Sequence, residues 1–366
     1  MRKHLKFIAL VLLAALILWW FGRGLNWGEV RHAVGQSDWR LLALAILIIC
    51  TTYVVRAYRW RALLAPLTPA SIRELFVATT VGFGAVFVFG RAGEVVRPVV
   101  LPLRDRRVRP AASFVTIMVE RVCDMVACAL MFAINLLWFR APEGHNSEFA
   151  HVRLAGIILL AVALLGVVGL AWFERRSRGA VRWVDKKFKR WSFVPERLRR
   201  AATGLLEQLA TALSILADAR ELAVTAGWTA LLWATIAVGD WLVMRAFGLP
   251  FGLSQAIFVM GFALIGSLVP TPGGAAGAFH AATMQGLLFL GVAREQAAAV
   301  AIITHLIVFA PAFVFGLYYL VRGDISIARL RELSSPEAVE HVVEDEKVEI
   351  GGINKNKELE TVGVGE

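Results

Sequence analysis

The chain has 366 residues, 58% of them apolar and 18% charged, with a formal net charge of +11. Soluble domains carry about 25% charged residues, so the composition excludes a single water-soluble globule and makes a bilayer the natural solvent. The positive excess argues for the cytoplasmic ends of membrane spans, where Lys and Arg collect beside anionic lipid, and against nucleic acid as a partner.

Sustained apolar runs cover residues 5–21, 41–55, 75–90, 112–138, 154–173, 222–247, 253–269, 275–290 and 297–321. About 20 residues are needed to cross the hydrocarbon. The Gly-rich runs at 75, 253 and 275 fall short of that, and those at 112, 222 and 297 exceed it. The first run follows a basic start, Met1-Arg-Lys-His-Leu-Lys6, but ends in Trp19-Trp20-Phe21 without a small-x-small cleavage site. It therefore predicts an uncleaved first span.

Loop charges set the topology, because Lys and Arg in short loops mark the cytoplasmic side. Residues 22–40 hold three Arg against Glu29 and Asp38, and residues 56–74 hold four Arg against Glu74, which reads as outside and then inside. If 75–90 crossed fully, Arg97, Arg104, Arg106, Arg107 and Arg109 would face outward against one Asp. A hairpin over 75–100 that enters and leaves on the cytoplasmic face keeps them inside. Residues 139–153 are charge-balanced and outside, and 174–200 carry eleven Lys or Arg against Glu174, Asp185 and Glu196. By the same rule 222–247 runs outward, 253–290 forms a second hairpin from the outer face, and 297–321 returns.

The fold class that follows is an all-α polytopic membrane protein with six full spans plus two re-entrant helical hairpins, about eight transmembrane segments, arranged as an inverted repeat. Both termini are placed in the cytoplasm. The membrane domain occupies 1–322. Within it, 174–221 is expected to be a basic amphipathic helical loop on the inner leaflet, with Trp183, Phe188, Trp191 and Phe193 among basic residues. Residues 323–366 read as an acidic, mostly disordered cytoplasmic tail. Cys50, Cys123 and Cys128 lie inside apolar runs, where free Cys acts as a small hydrophobe.

Non-helical glycine turns at membrane depth survive only where protein buries them or a wet cavity receives them. In the first hairpin, Gly90-Arg91-Ala92-Gly93-Glu94 precedes a helix expected from Val95, with Arg97 close behind. Free amides at that helix start beside Arg91 and Arg97 suit a phosphate or carboxylate; the alternative is that the arginines snorkel to headgroups. In the second hairpin, Pro270, Pro272, Gly273, Gly274 and Gly277 break one helix and start another. His280, one turn into that helix, is either a headgroup contact or a hydrogen-bonded structural residue, and His305 reads as packing.

Glu120, Arg121 and Asp124 lie roughly 12 to 18 Å into the span beginning at 112, at about 1.5 Å per residue. Each costs roughly 2.5 to 3.5 kcal/mol on insertion scales. Arg121 and Asp124 can pair at i, i+3, which leaves Glu120 for a partner on the first hairpin, Arg91 or Arg97. An ionic lock and a lipid or proton-coupled site both fit this pattern. Asp240, on an outward span, is placed near the second hairpin as its acid. No His-Glu-x-x-His pair, Gly-x-Ser-x-Gly elbow or Walker loop occurs, so no catalytic residue, cofactor or metal ligand is assigned.

Gly90-Arg-Ala-Gly-Glu-Val-Val-Arg97, Val119-Glu-Arg-Val-Cys-Asp124 and Pro270-Thr-Pro-Gly-Gly-Ala-Ala-Gly277 resemble, in order, the flippase-like family of lysylphosphatidylglycerol synthase transmembrane domains. Where relatives often carry proline before the first block, this chain has Phe89. The resemblance implies a lipid-handling domain with re-entrant helices. In full-length synthases a soluble aminoacyl-transferase domain follows it, whereas only about 45 residues follow residue 321 here, so lysyl transfer is not carried over. The expectation is a translocase of the cytoplasmic membrane for anionic or phosphate-bearing lipids, with an oligomer compatible. A headgroup-modifying enzyme using Glu120 or His280, and a scaffold for a separate lipid synthase, are the alternatives.

Overall fold

The computed structural model describes residues 2–139, 149–169 apart from 159, 163 and 167, and 219–322; the side chains of residues 2–11, Arg91, Ala92 and Ala111 are outside that description. The basic loop and the acidic tail expected above, and most of the 139–153 loop, lie outside the described residues. The elements in order are α1 (Arg2–Gly22), α2 (Trp27–Gly35), α3 (Trp39–Leu64), α4 (Ile72–Phe89), a 3-10 turn (Gly90–Val95), α5 (Val96–Arg104) and α6 (Pro110–Trp138). Then follow α7 (Phe149–Gly166), α8 (Ala219–Ala246), α9 (Leu253–Gly266), a short turn (Pro272–Ala275), α10 (Ala278–Phe289) and α11 (Arg294–Val321). Contacts divide the chain into Met1–Leu317 and Tyr318–Glu366. In the second unit the described residues finish α11, where the Arg322 amide closes on Tyr318 O.

The protein is an all-α polytopic membrane protein. Among the described residues α3, α4, α7, α8 and α11 are long and apolar enough to cross a bilayer, and α6 adds 29 residues interrupted by Glu120, Arg121 and Asp124.

Helix α3 runs nine residues past the apolar run that predicted it, through Arg56, Arg59 and Trp60, so part of the expected 56–74 loop is helix. A hydropathy reading stops at the first arginine. The helix continues because its backbone is satisfied internally and its polar side chains find partners inside the protein. Asp38 starts α3 by accepting from the Arg40 amide at 2.8 Å. Helix α2, started in the same way by Asn26, was not anticipated, being too short and mixed to register as an apolar run.

Helices α3 and α8 pack antiparallel along their whole length. The Asp38 amide donates to Ala246 O at 2.8 Å, Gly239 sits against Ile49, and Tyr58 stacks on Trp228 at 5.5 Å. They are the second long helices of the two proposed repeats, and antiparallel packing is what an inverted pair requires.

Helix α4, the 3-10 turn and α5 fold back on themselves. The Ser71 amide donates to Asp105 Oδ2 at 3.2 Å, Thr68 Oγ1 donates to Arg107 O at 3.0 Å, and Arg104 pairs with Glu74. Both ends of this hairpin therefore lie side by side. Glycine allows the closeness: a Cβ on Gly93 would stand 2.3 Å from the Ala85 carbonyl carbon. Helices α9 and α10 make a second antiparallel hairpin, with Gly266 against Ala278 and Ala282 and Gly286 against Val259.

The hairpins meet at their tips. A Cβ on Gly90, at φ +61°, would stand 2.6 Å from Thr271 O. Helices α6 and α11 flank both. On α6, Glu120 faces the first hairpin and Asn135 binds Ser254 of the second. On α11, Gly84 of α4 meets Ala312 and His305 meets the second turn.

Candidate functional site

The charged residues of α6 collect an ion cluster from four elements. Arg97, brought over α6 by the return of α5, binds Glu120 through two guanidinium nitrogens, at 2.6 and 3.0 Å. Arg59 of α3 bridges both acids, at 2.9 Å to Glu120 Oε1 and at 2.5 and 3.2 Å to the two oxygens of Asp124. Arg121 reaches Glu120 at 2.9 Å and Asp124 at 3.6 Å. Trp233 of α8 donates to Asp124 Oδ1 at 3.1 Å. Arg59 and Glu120 are completely buried and Arg97 is 4% exposed. Forked guanidiniums suit such a place, since they meet carboxylates in two parallel bonds.

Aromatic faces complete the wall. The Arg97 guanidinium lies 4.1 Å over Trp60 and 5.9 Å over Phe83. Trp60 is held by Thr116, whose Oγ1 accepts its indole hydrogen at 3.0 Å. Between hairpin and α6 a cleft of about 40 Å³ is lined by Gly82, Phe83, Val86, Glu94, Arg97, Ile117 and Arg121. That volume holds about three waters, at roughly 10–15 Å³ each. The Nε atoms of Arg59, Arg97 and Arg121 are buried and lack a hydrogen-bond partner.

Of the residues singled out in the sequence, Glu94, Arg97, Glu120, Arg121 and Asp124 come together here. The pairing of Arg97 with Glu120 is one of the two expected, and Arg121 pairs with Asp124 as its spacing implies. Gly93 forms the tight floor of the first turn. The side chain of Arg91 lies outside the description.

The second turn is a separate place. Gly273, Gly274 and Ala275 all have positive φ, at 76°, 63° and 63°, and the left-handed alanine costs roughly 1 to 2 kcal/mol. Pro272 opens the turn, Pro270 is exposed, and Gly277, at φ +86°, lets α1 approach through Ile17 and Leu18. His280 Nδ1 accepts from the Gly277 amide at 3.4 Å, so His280 caps its own helix. His305 donates from Nε2 to Gly274 O at 3.1 Å, and the two imidazoles face one another at 4.6 Å among Phe21, Phe87, Phe279 and Phe309. Asp240 stands apart from both places. It lies two turns, about 10 Å, beyond Trp233 on α8, 6% exposed, and makes no hydrogen bond or ion pair with the described residues.

Sequence reading missed Arg59, Trp60 and Trp233. Arg59 was counted among loop charges. Its signal was the spacing of Arg56, Arg59 and Trp60 at i, i+3 and i+4, one helix face, together with two acids at depth that needed more cation than Arg121 and one hairpin arginine supply. Trp233 left no signal beyond being an indole within a span.

Antiparallel spans, two hairpins in tip contact and a buried ion cluster beside a cleft define a polytopic membrane protein organised around an intramembrane polar site. Residues 7–316 match the family described as lysylphosphatidylglycerol synthase TM region, and the chain belongs to that family. Among curated relatives, glycosyltransferase AglD of Haloferax volcanii is 26% identical over 381 residues, covering 94% of this chain and 59% of that protein. The chain thus spans somewhat over half that relative's length. A UPF0104 membrane protein of Pyrococcus horikoshii is 22% identical over 315 residues, covering 82% of this chain and 91% of that protein.

Proposed function

We propose that the protein is a lipid translocase of the cytoplasmic membrane, admitting an anionic headgroup to the cleft between the first hairpin and α6. In this reading six spans cross the bilayer, the hairpins enter from opposite faces as halves of an inverted repeat, and both termini are cytoplasmic. The observation that carries it is the cleft itself, a mostly apolar opening to which Glu94, Arg97 and Arg121 contribute charge, within a helix bundle whose outer surface is apolar. Buried charge of this kind is costly in a membrane and marks ion or substrate paths. Tip contact between the hairpins brings Gly90, at the end of the helix that lines the cleft, against Thr271 of the second turn.

The geometry disfavours Glu120 as a catalytic acid or base. Its Oε1 accepts from Arg97 and Arg121 and is ion-paired with Arg59, its Oε2 accepts from Arg97, and the residue is completely buried, so it is not presented to a substrate. The rival reading, a membrane-embedded enzyme acting on a lipid headgroup, is favoured by the glycosyltransferase name of one relative. Lipid mass spectrometry of a deletion strain separates the two. A missing lipid species supports the enzyme; unchanged species with altered leaflet distribution support the translocase. Directly, purified protein in vesicles should move labelled anionic lipid between leaflets, and should lose that activity in Arg121→Gln. No movement of any anionic or polyprenyl-phosphate lipid, with or without an ion gradient, overturns the proposal.

A further inference from the structure

Among the described side chains of this region, Arg56 is a cation that the ion cluster does not use. It lies on α3 between Tyr53 and Arg59, eight residues or about 12 Å before the helix ends. Arg59, Trp60, Leu63 and Leu64, which separate it from that end, are completely buried, so the position is not a headgroup-level anchor. Its guanidinium lies 4.5 Å over the Phe83 ring, and Phe83 lines the cleft. The Arg97 guanidinium lies over the same ring at 5.9 Å. Among the described residues no carboxylate stands within ion-pair distance of Arg56 and it donates no hydrogen bond. None of its nitrogens is sealed in the packing either, in contrast to the Nε atoms of Arg59, Arg97 and Arg121. Its donors are therefore unpaired and reachable.

The charge balance points the same way. Among the described side chains of the ion cluster and the cleft, Arg59, Arg97 and Arg121 stand against Glu94, Glu120 and Asp124, and Arg56, over Phe83 but not itself in the cleft's lining, adds a further positive charge. In a low-dielectric setting an unmatched guanidinium is costly, and an anion that supplies the missing charge recovers that cost. Arg97 and Arg121 are already committed to carboxylates, which leaves Arg56 with a full set of free donors.

We propose that Arg56 is the anion-binding residue of this site, taking a phosphate oxyanion at the Phe83 ring beside the cleft, with Arg97 and Arg121 shaping the field around it. The inference rests on the translocase reading for the location of the ligand, and it adds the residue that holds the charge.

The test uses the full-length protein in detergent and in vesicles, as wild type, Arg56→Gln and Arg56→Lys. Thermal stabilisation is titrated with phosphatidylglycerol, phosphatidic acid, uncharged diacylglycerol and inorganic phosphate, and leaflet exchange of labelled phosphatidylglycerol is measured in parallel. Charged hydrogen bonds of this kind correspond to about ten-fold or more in affinity. Arg56→Gln should weaken the phosphatidylglycerol response by at least that factor with an unliganded melting temperature near wild type, and Arg56→Lys should restore part of it. Diacylglycerol should give no response. Stabilisation by inorganic phosphate that Arg56→Gln abolishes identifies the oxyanion alone as sufficient; a response to phosphatidylglycerol only identifies the lipid form. Equal responses of wild type and Arg56→Gln to phosphatidylglycerol and to phosphatidic acid overturn the inference. Wild type that binds phosphatidylglycerol through Arg56 but exchanges no lipid overturns the translocase reading and leaves the site standing.

Discussion

Glu120 shows how much one side chain depends on its neighbours here. It is ion-paired with three arginines on three elements, and removing it leaves Arg97 without a carboxylate and Arg59 and Arg121 sharing Asp124. Breaking one side of a buried pair typically costs 3–5 kcal/mol, whereas replacing both partners with apolar residues is far milder. Glu120→Leu should therefore unfold well below wild type in detergent melts, and Arg97→Met combined with Glu120→Leu should recover part of the loss. No recovery would mean that Arg59 and Arg121 alone account for the role of Glu120.

Outside the spans, Asp105 ties the first hairpin shut. The Arg107 guanidinium holds its carboxyl below the usual carboxylate range against the opposing effect of burial, and the amides of Ser71 and Arg107 add to this. A folded-state value below the unfolded one, about 3.9, means that the contribution is present above about pH 4 and is lost as pH falls through the lower folded value. Melting temperatures of wild type and Asp105→Asn should differ by a constant amount at neutral pH and converge in acid. A gap that persists in acid would assign the effect to shape and not to charge.

At the scale of elements, the hairpins depend on close backbone approach. Helices α4 and α11 cross where Gly84 meets Ala312 O at 3.0 Å from a would-be Cβ, and where Gly316 meets Thr80 O at 3.2 Å. Small residues at such crossings let helices pack without a hydrophobic drive between them. Gly84→Leu should cost about 1–3 kcal/mol by overpacking, seen as a lower melting temperature. Gly90→Ala is the sharper probe, because a positive φ and contact with Thr271 O both oppose the methyl group. It should separate the tips and abolish lipid exchange more completely than it lowers the melting temperature. The helix breaks at the two tips were readable from the short, Gly-rich runs and their turn residues. Their tip contact was not, since it joins residues about 180 positions apart, Gly90 and Thr271, with no local pattern.

For the whole molecule, the topology rests on loop charge, and the structure changes part of that count. Arg56 and Arg59 belong to α3 and not to a loop. In the proposed orientation the cytoplasmic side rests on Arg61, Arg73 and the run from Arg104 to Arg109, which the first hairpin returns to the end of the molecule holding Thr68 and Ser71. The opposite end holds Asp38 beside Ala246. Single cysteines placed as Gln36→Cys and Arg106→Cys, with the three native cysteines replaced, should react with impermeant reagent from opposite sides, Gln36→Cys from outside. Labelling of both from one side would rule out the proposed arrangement of α3 and the first hairpin.

Composition and periodicity alone determined that this chain lives in a membrane as helices, where nearly every apolar run became a helix, and which acids lie at depth. Those are local properties: a backbone that satisfies its own hydrogen bonds in hydrocarbon needs no distant residue to do so. Only the tertiary structure decided the partners. Arg59 reaches Asp124 across 65 positions, Trp233 reaches it across 109, and Arg56 is left without a carboxylate because Arg59, one turn along the same helix, already bridges both acids. Pairing of buried charges is settled by which helices touch and at what height, and neither is written in a window of sequence.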